Sequence, residues 1–160
     1  MKFKTIIAAL SVLAALASCS KDSLDSYAGS YIYKISGSVK VTDLPDYSDT
    51  LTFQLNTESG RMEVLKDGTG LVLTFNDIFG EASVLNAEVE DDAVFVSGGN
   101  KFVKAGSTLH SGSGTVRVTG VGRKLSDTIV LTLDYNGELN GTINDYKIVE
   151  SDIKCVAKAN

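Results

Sequence analysis

Few side chains in this 160-residue chain could support catalysis. His110 is the single histidine, and a Ser–His–Asp hydrolytic site would need it beside a positioned serine and an orienting acid. Its neighbours Ser107 and Ser111 belong to a Gly/Ser-rich stretch that is typical of an exposed loop. We therefore predict a loop position in solvent for His110 and no catalytic residue.

Acidic residues cluster twice. Asp43, Asp46 and Asp49 recur every three residues around a proline, and calcium prefers several oxygens that converge from one loop. This segment lacks the glycine and terminal glutamate of an EF-hand loop, which favours a polar hairpin loop. The second cluster, residues 88–92, alternates with apolar residues and indicates a solvated strand face rather than paired catalytic carboxylates. We expect no enzymatic activity, no metal and no cofactor.

Four side chains are candidates for ligand binding: Arg117, Tyr31, Tyr33 and Tyr135. Arg117 stands in an otherwise uncharged strand. If its face lines a cavity, its guanidinium could hold the carboxylate of a fatty-acid-like ligand; if it faces water, it protects against edge pairing. Core packing is the simplest interpretation of the tyrosines. At a cavity, a tyrosine combines apolar contact with the hydrogen bond that a sugar or lipid head group needs.

Composition narrows the classes of partner. Fifteen Lys+Arg against twenty Asp+Glu give a net charge of −5, which argues against a nucleic-acid-binding face. The length allows one domain, or one domain with a processed leader. One of the two cysteines, Cys155, lies on the apolar face of an alternating segment, so we expect a buried small side chain rather than a reactive thiol.

The N-terminus has the organisation of a targeting signal. Two lysines in the first four residues precede an apolar stretch, residues 6–16, that is too short to span a bilayer comfortably. It ends in Leu16-Ala17-Ser18-Cys19, which resembles the lipobox of bacterial lipoproteins; the alternative is an ordinary signal peptide with a chance cysteine. The resemblance implies a signal peptide at 1–18, a diacylglyceryl group on the Cys19 thiol, and a tether over 19–28.

Lipidation would anchor the chain to a membrane rather than pass it through one. Each buried methylene contributes about 0.8 kcal/mol, so several acyl chains hold a protein on a bilayer almost irreversibly. Processing leaves 13 basic against 20 acidic residues, a net charge of −7. Ser20 follows the cysteine in place of the aspartate that retains lipoproteins at the inner membrane, which implies the bacterial outer membrane. Ser20-Lys21-Asp22 also resembles the short signals that export lipoproteins to the cell surface.

From Gly29 onward, apolar residues recur with a period of two, which predicts strands. Asp67-Gly68, Asn136-Gly137 and Asn140-Gly141 are typical of tight hairpins. Gly98-Gly99 and residues 112–114 indicate looser connections. The alternating runs cover 29–41, 49–56, 61–66, 71–75, 83–90, 93–96, 101–105, 115–121, 128–135 and 142–157, the last of which we expect to divide in two; together they predict eight to ten strands.

Eight to ten antiparallel strands form either a barrel or a sandwich. The first strand is long enough that it must bend, and Gly37 in its middle permits a kink at a barrel corner. Short links between consecutive strands favour an up-and-down order. We therefore predict an all-β, antiparallel up-and-down barrel of about eight strands over residues 29–158, with a β-sandwich as the alternative.

Several segments carry a family resemblance. Residues 27–31 (YAGSY), 49–55 (DTLTFQL), 66–75 (KDGTGLVLTF) and 128–134 (TIVLTLD) resemble the calycin-like and lipocalin-like domains of many bacterial lipoproteins. Lipocalins proper open with Gly-x-Trp, whereas this chain has Gly29-x-Tyr31 and no tryptophan. The resemblance implies a barrel that binds a small apolar ligand. The alternative is a solid barrel, filled by its own side chains, that contacts another envelope protein or a glycan.

Overall fold

The computed structural model describes residues 24–160, so the predicted signal peptide, Cys19 and the first part of the tether lie outside the described residues. Residues 24–27 form one helical turn. Within the described chain, no helix has the length and apolar character needed to cross a bilayer. The rest of the ordered structure is ten strands: β1 (Gly29–Asp43), β2 (Thr50–Leu55), β3 (Glu58–Asp67), β4 (Gly70–Asp77), β5 (Ala82–Glu90), β6 (Ala93–Gly106), β7 (Ser111–Leu125), β8 (Thr128–Asn136), β9 (Glu138–Gly141) and β10 (Asp145–Ala159).

Eight of these strands close into an antiparallel barrel, which confirms the predicted fold class. The order around the barrel is β1-β3-β4-β5-β6-β7-β8-β10, and β10 pairs back onto β1 from Tyr31↔Ala159 to Asp43↔Tyr146. From β3 to β8 each strand pairs with the next along the chain, as an up-and-down order requires. The architecture is compatible with a calycin-like fold.

The two remaining strands, β2 and β9, lie outside this eight-stranded closure. β2 pairs with the second half of β1 and, at Gln54 and Leu55, with the end of β6. β9 pairs with the start of β7 and the start of β10. The cycle β1-β2-β6-β7-β9-β10 is therefore closed by strand pairing as well. We call this six-stranded end of the molecule the small ring.

One apolar core runs through both parts, because the alternating strands turn every second side chain inward. In the eight-stranded part, the rings of Tyr33 and Phe75 meet edge to face with centroids 4.9 Å apart. In the small ring, Phe53 and Tyr146 make the same kind of contact at 4.8 Å. Burial of this core is the main force that holds the barrel together.

The glycine pairs predicted to mark connections lie inside strands instead. Gly98-Gly99 is part of β6, which makes the predicted strands 93–96 and 101–105 one strand, and residues 112–114 belong to β7. In β6 the two glycines form a β-bulge, because the pairing of β6 with both β5 and β7 shifts register at this point. The strand therefore continues through them. A Cβ on Gly99 would lie 2.5 Å from the Val84 carbonyl oxygen, so a glycine is required without ending the strand.

The end of the chain also differs from the prediction. Residues 145–159 form the single strand β10 rather than two strands. Its register with β1 shifts between Lys40 and Val41, which marks a β-bulge. The bulge lets one long strand bend, so the division into two strands that we predicted is not needed. Gly37 has a φ of +142°, and a Cβ there would lie 2.1 Å from the Asp152 carbonyl oxygen, as expected for a glycine at a barrel corner.

Candidate functional site

The barrel wall opens where β5 and β6 separate. Their pairing runs from Glu90↔Ala93 to Leu85↔Gly99, and within the described chain residues 82–84 have no ladder to β6. β2 meets β6 only near its end. The opening leads into a cleft of about 280 Å³, which we call the wall cleft. Its floor includes Ile35, Val103, Tyr135, Lys101, Ser83 and Glu58, and its rim includes Asn56, Thr57, Asp77, Phe79, Glu81, Phe102 and Lys104.

A buried ion pair lies at the floor of the wall cleft. Lys101 is only 6% exposed, and its Nζ donates hydrogen bonds to Glu58 Oε1 at 2.5 Å and to Ser83 Oγ at 3.2 Å. The ammonium is also 5.8 Å from the centre of the Phe75 ring. A charge so far from water requires a charged or hydrogen-bonding partner, and Glu58 supplies it.

Tyr33 joins this pair from β1. Its hydroxyl donates to Glu58 Oε1, the same oxygen that accepts from Lys101. Burial raises the pKa of Tyr33 well above its usual value, and the hydrogen bond to the Glu58 carboxylate raises it further. Tyr33 is therefore a neutral donor that fixes the position of Glu58, and its ring packs in the core below the cleft.

Tyr135 lines the wall cleft with an unused hydroxyl. The residue is 4% exposed, yet no group in residues 24–160 hydrogen-bonds to its side-chain oxygen. The backbone of Tyr135 is held by Ser151, whose Oγ accepts from the Tyr135 N–H at 3.0 Å. Burial raises the pKa of Tyr135, and the nearby Glu58 charge adds to the effect. The neutral phenol can therefore donate or accept one bond toward a ligand.

The rim is partly apolar. Phe79 is 84% exposed on the turn between β4 and β5, where Asp77 Oδ1 accepts the backbone N–H groups of Phe79 and Glu81, both at 2.8 Å. Phe102 on β6 is 42% exposed, and the Lys104 ammonium lies 5.7 Å from its ring centre. The mouth of the cleft thus presents two phenyl rings among charged groups.

Of the four predicted ligand-binding residues, Tyr135 lines the wall cleft, and Tyr33 lies behind the lining and reaches it only through its hydrogen bond to Glu58. Tyr31 is buried elsewhere in the core, and its hydroxyl donates to the Tyr27 carbonyl oxygen at 2.8 Å. Arg117 is exposed on the outer surface, so it does not face the interior. It pairs with Asn100 on one side and Asn136 on the other, so there is no free sheet edge for it to protect.

The other residues that the sequence suggested for catalysis, metal binding or thiol chemistry have structural roles. His110 lies on a loop as predicted, but it is half-buried rather than in solvent, because its ring packs near Tyr146 with Nδ1 3.2 Å from the Tyr146 hydroxyl. Asp43 Oδ1 accepts the Asp49 N–H at 3.2 Å within its loop, and in the described residues no set of three metal-ligating side chains converges. Cys155 is fully buried as predicted, and burial raises the pKa of its thiol to about 12.

Sequence reasoning missed Lys101, Glu58 and Ser83. The signal for Lys101 was present, because alternation in Lys101–Ala105 places it on the same face as Val103, toward the core. Glu58 begins β3 directly after the link from β2, and it becomes part of the site only through its contacts with two other strands. No periodicity could indicate such a position.

Comparison with known proteins adds no assignment: no family model, no curated protein and no solved structure matches this chain.

Proposed function

We propose that this protein is a lipid-anchored binding module of the bacterial envelope, and that it holds a small molecule in the wall cleft. One observation carries the proposal: Tyr135 is 4% exposed and lines the cleft, and its hydroxyl has no hydrogen-bonding partner within residues 24–160. Because this hydroxyl opens onto the cleft, a ligand there can make the hydrogen bond that the protein itself does not make. The cleft volume is close to the lower end of the range for small-molecule sites, about 300–1,000 Å³.

The proposed binding place is the wall of the barrel rather than its axis. Tyr33 and Phe75 occupy the interior below the cleft, and Leu131 and Met62 are fully buried in the same core. The floor of the cleft combines the apolar Ile35 and Val103 with hydrogen-bonding groups. A ligand for this site has both apolar and polar parts, which refines the purely apolar ligand that the family resemblance implies.

Anchoring through Cys19 is the second part of the proposal. The lipobox resemblance of residues 16–19 supports it. Four residues lie between Cys19 and Leu24, so the two are five residue steps apart, a reach of at most about 17 Å. The chain enters the barrel at the end where Tyr27 Oη donates to the Asp92 carbonyl oxygen. Lipidation would thus keep that end near the outer membrane, with the wall cleft on the side of the barrel.

Native mass spectrometry of residues 20–160, which contain the whole described barrel, tests ligand binding directly. We expect a discrete, removable adduct on the protein as purified, and its loss or weakening in Tyr135→Phe. Tyr47→Phe, which removes an exposed hydroxyl outside the cleft, is the matched control and keeps the adduct. A bare mass as purified, and again after incubation with fatty acids, bile acids, haem and neutral sugars, would overturn the proposal.

Two exposed apolar side chains favour a second candidate, a contact with another envelope protein. Leu109 and Ile143 lie on two links at the small ring, away from the N-terminal end. These links are adjacent, because β7 pairs with β9 at Gly112↔Gly141. A photo-crosslinking residue at position 109 would give one discrete product in intact cells, whereas the same residue at position 154 would not. Identical products from both positions would contradict this candidate.

A further inference from the structure

The hydrogen-bonding inventory of the wall cleft is mixed. A lysine ammonium has three N–H donors, and Lys101 uses two of them on Glu58 and Ser83. Both bonds received by Glu58 fall on Oε1, so among the described residues Oε2 is an unused acceptor. The Tyr135 hydroxyl adds a group that can donate or accept. A hydroxyl-bearing ligand can satisfy all three, whereas a carboxylate can only accept and an ammonium can only donate.

The charges of the cleft disfavour an ionic ligand. Lys101 and Lys104 contribute two positive charges, and the three acids Glu58, Asp77 and Glu81 contribute three negative ones, a local balance of −1. An anion would enter this negative surrounding and find the deep ammonium already paired with Glu58. A cation would meet that same ammonium at the floor. Desolvation therefore costs a neutral ligand least.

The rim supplies flat apolar surfaces. Phe79 and Phe102 come from different elements and line the same cleft, and the bonds to Asp77 Oδ1 fix the turn that carries Phe79. Because the turn is already ordered, little conformational entropy of the turn is lost when a ligand packs on these rings. The rings suit a ligand with an apolar face and polar edges, and the cleft volume admits about one such ring.

On these three observations, and resting on the binding function proposed above, we infer that the ligand of the wall cleft is a neutral polyhydroxylated ring, a hexose unit of a free sugar or of a glycan. Its C–H face packs against Phe79 and Phe102. One hydroxyl bonds to Tyr135, and a second bridges the free N–H of Lys101 and Glu58 Oε2.

Titration followed by NMR of residues 20–160 tests this inference. The probes are the methyl glycosides of glucose, galactose, mannose and N-acetylglucosamine, with glucuronic acid and glucosamine as charged counterparts and decanoic acid as an apolar anion. We expect at least one neutral glycoside to shift the Tyr135 and Phe102 resonances, and its charged counterpart to bind at least tenfold more weakly. Tyr135→Phe weakens binding about three- to tenfold, the effect of one hydrogen bond, and Tyr47→Phe leaves it unchanged.

The outcomes separate the ligand class from the binding function. If decanoic acid or a charged sugar binds at the wall cleft more tightly than every neutral glycoside, the saccharide inference is overturned and the binding function stands. If a glycoside binds but Tyr135→Phe has no effect, the assignment of the ligand to these residues is overturned. If no probe binds and the purified protein carries no adduct, both proposals fail.

Discussion

The wall cleft and the small ring each bury a tyrosine, but only the tyrosine of the small ring has a hydrogen-bonding partner for its hydroxyl among the described residues. In the small ring, Tyr146 packs edge to face on Phe53, and its hydroxyl lies 3.2 Å from His110 Nδ1. In the wall cleft, Tyr135 is almost as deeply buried, and its hydroxyl has no partner within residues 24–160. The difference follows the backbone. Strands β2 and β9 close the small ring by pairing on both sides, whereas β5 and β6 separate beside the cleft.

This contrast separates polar groups that stabilise the fold from polar groups that are available to bind a ligand. Where strands close around a buried polar group, a neighbour is at hand to satisfy it; where they separate, the group depends on whatever enters the opening. Among the described residues, Thr42 Oγ1 is the side-chain oxygen that is fully buried without a partner, and it lies outside the wall cleft, whereas the Tyr135 hydroxyl opens onto the cleft. Buried polar groups that violate the usual pairing rule are expected mainly at functional sites.

The largest expected difference between the two regions is in packing. Phe53→Ala removes a fully buried ring from the small ring and should lower the free energy of unfolding by about 3–5 kcal/mol. Phe102→Ala at the rim of the cleft removes a ring already 42% exposed and should cost less than about 1 kcal/mol. Urea unfolding of both variants measures the difference. Equal losses would show that the rim is part of the core, against the comparison.

A smaller effect is expected for the buried ion pair. Glu58→Gln leaves Lys101 buried without a counter-charge and should cost about 3 kcal/mol, and adding Lys101→Met should restore most of the loss. Glu150→Gln is the matched control, since Glu150 pairs with Lys40 at 2.6 Å on the surface; its cost should stay within about 0.5 kcal/mol. If urea unfolding gives the two single variants the same stability, Lys101 does not depend on Glu58.

The sequence was sufficient for the barrel but only partly for the cleft. Alternation identified the all-β class and placed Tyr33 and Tyr135 on inward faces, because that signal is local to each strand. Pairing between distant strands, such as β2 with β6, has no local signal, so the small ring was not predicted. A glycine pair can end a strand or form a bulge within it, so the continuity of β6 could not be read from Gly98-Gly99.

The smallest expected effect is the most specific test of the comparison. Tyr146→Phe removes a hydroxyl that is bonded to His110 and should lower the free energy of unfolding by about 1 kcal/mol. Tyr135→Phe removes a hydroxyl with no protein partner and should change it by less than about 0.5 kcal/mol, in either direction. The same substitution that leaves stability unchanged should weaken ligand binding, which separates a group kept for a ligand from one kept for the fold. If Tyr135→Phe costs as much as Tyr146→Phe, the Tyr135 hydroxyl is satisfied within the folded protein, and the wall cleft loses the group that distinguishes it from the small ring.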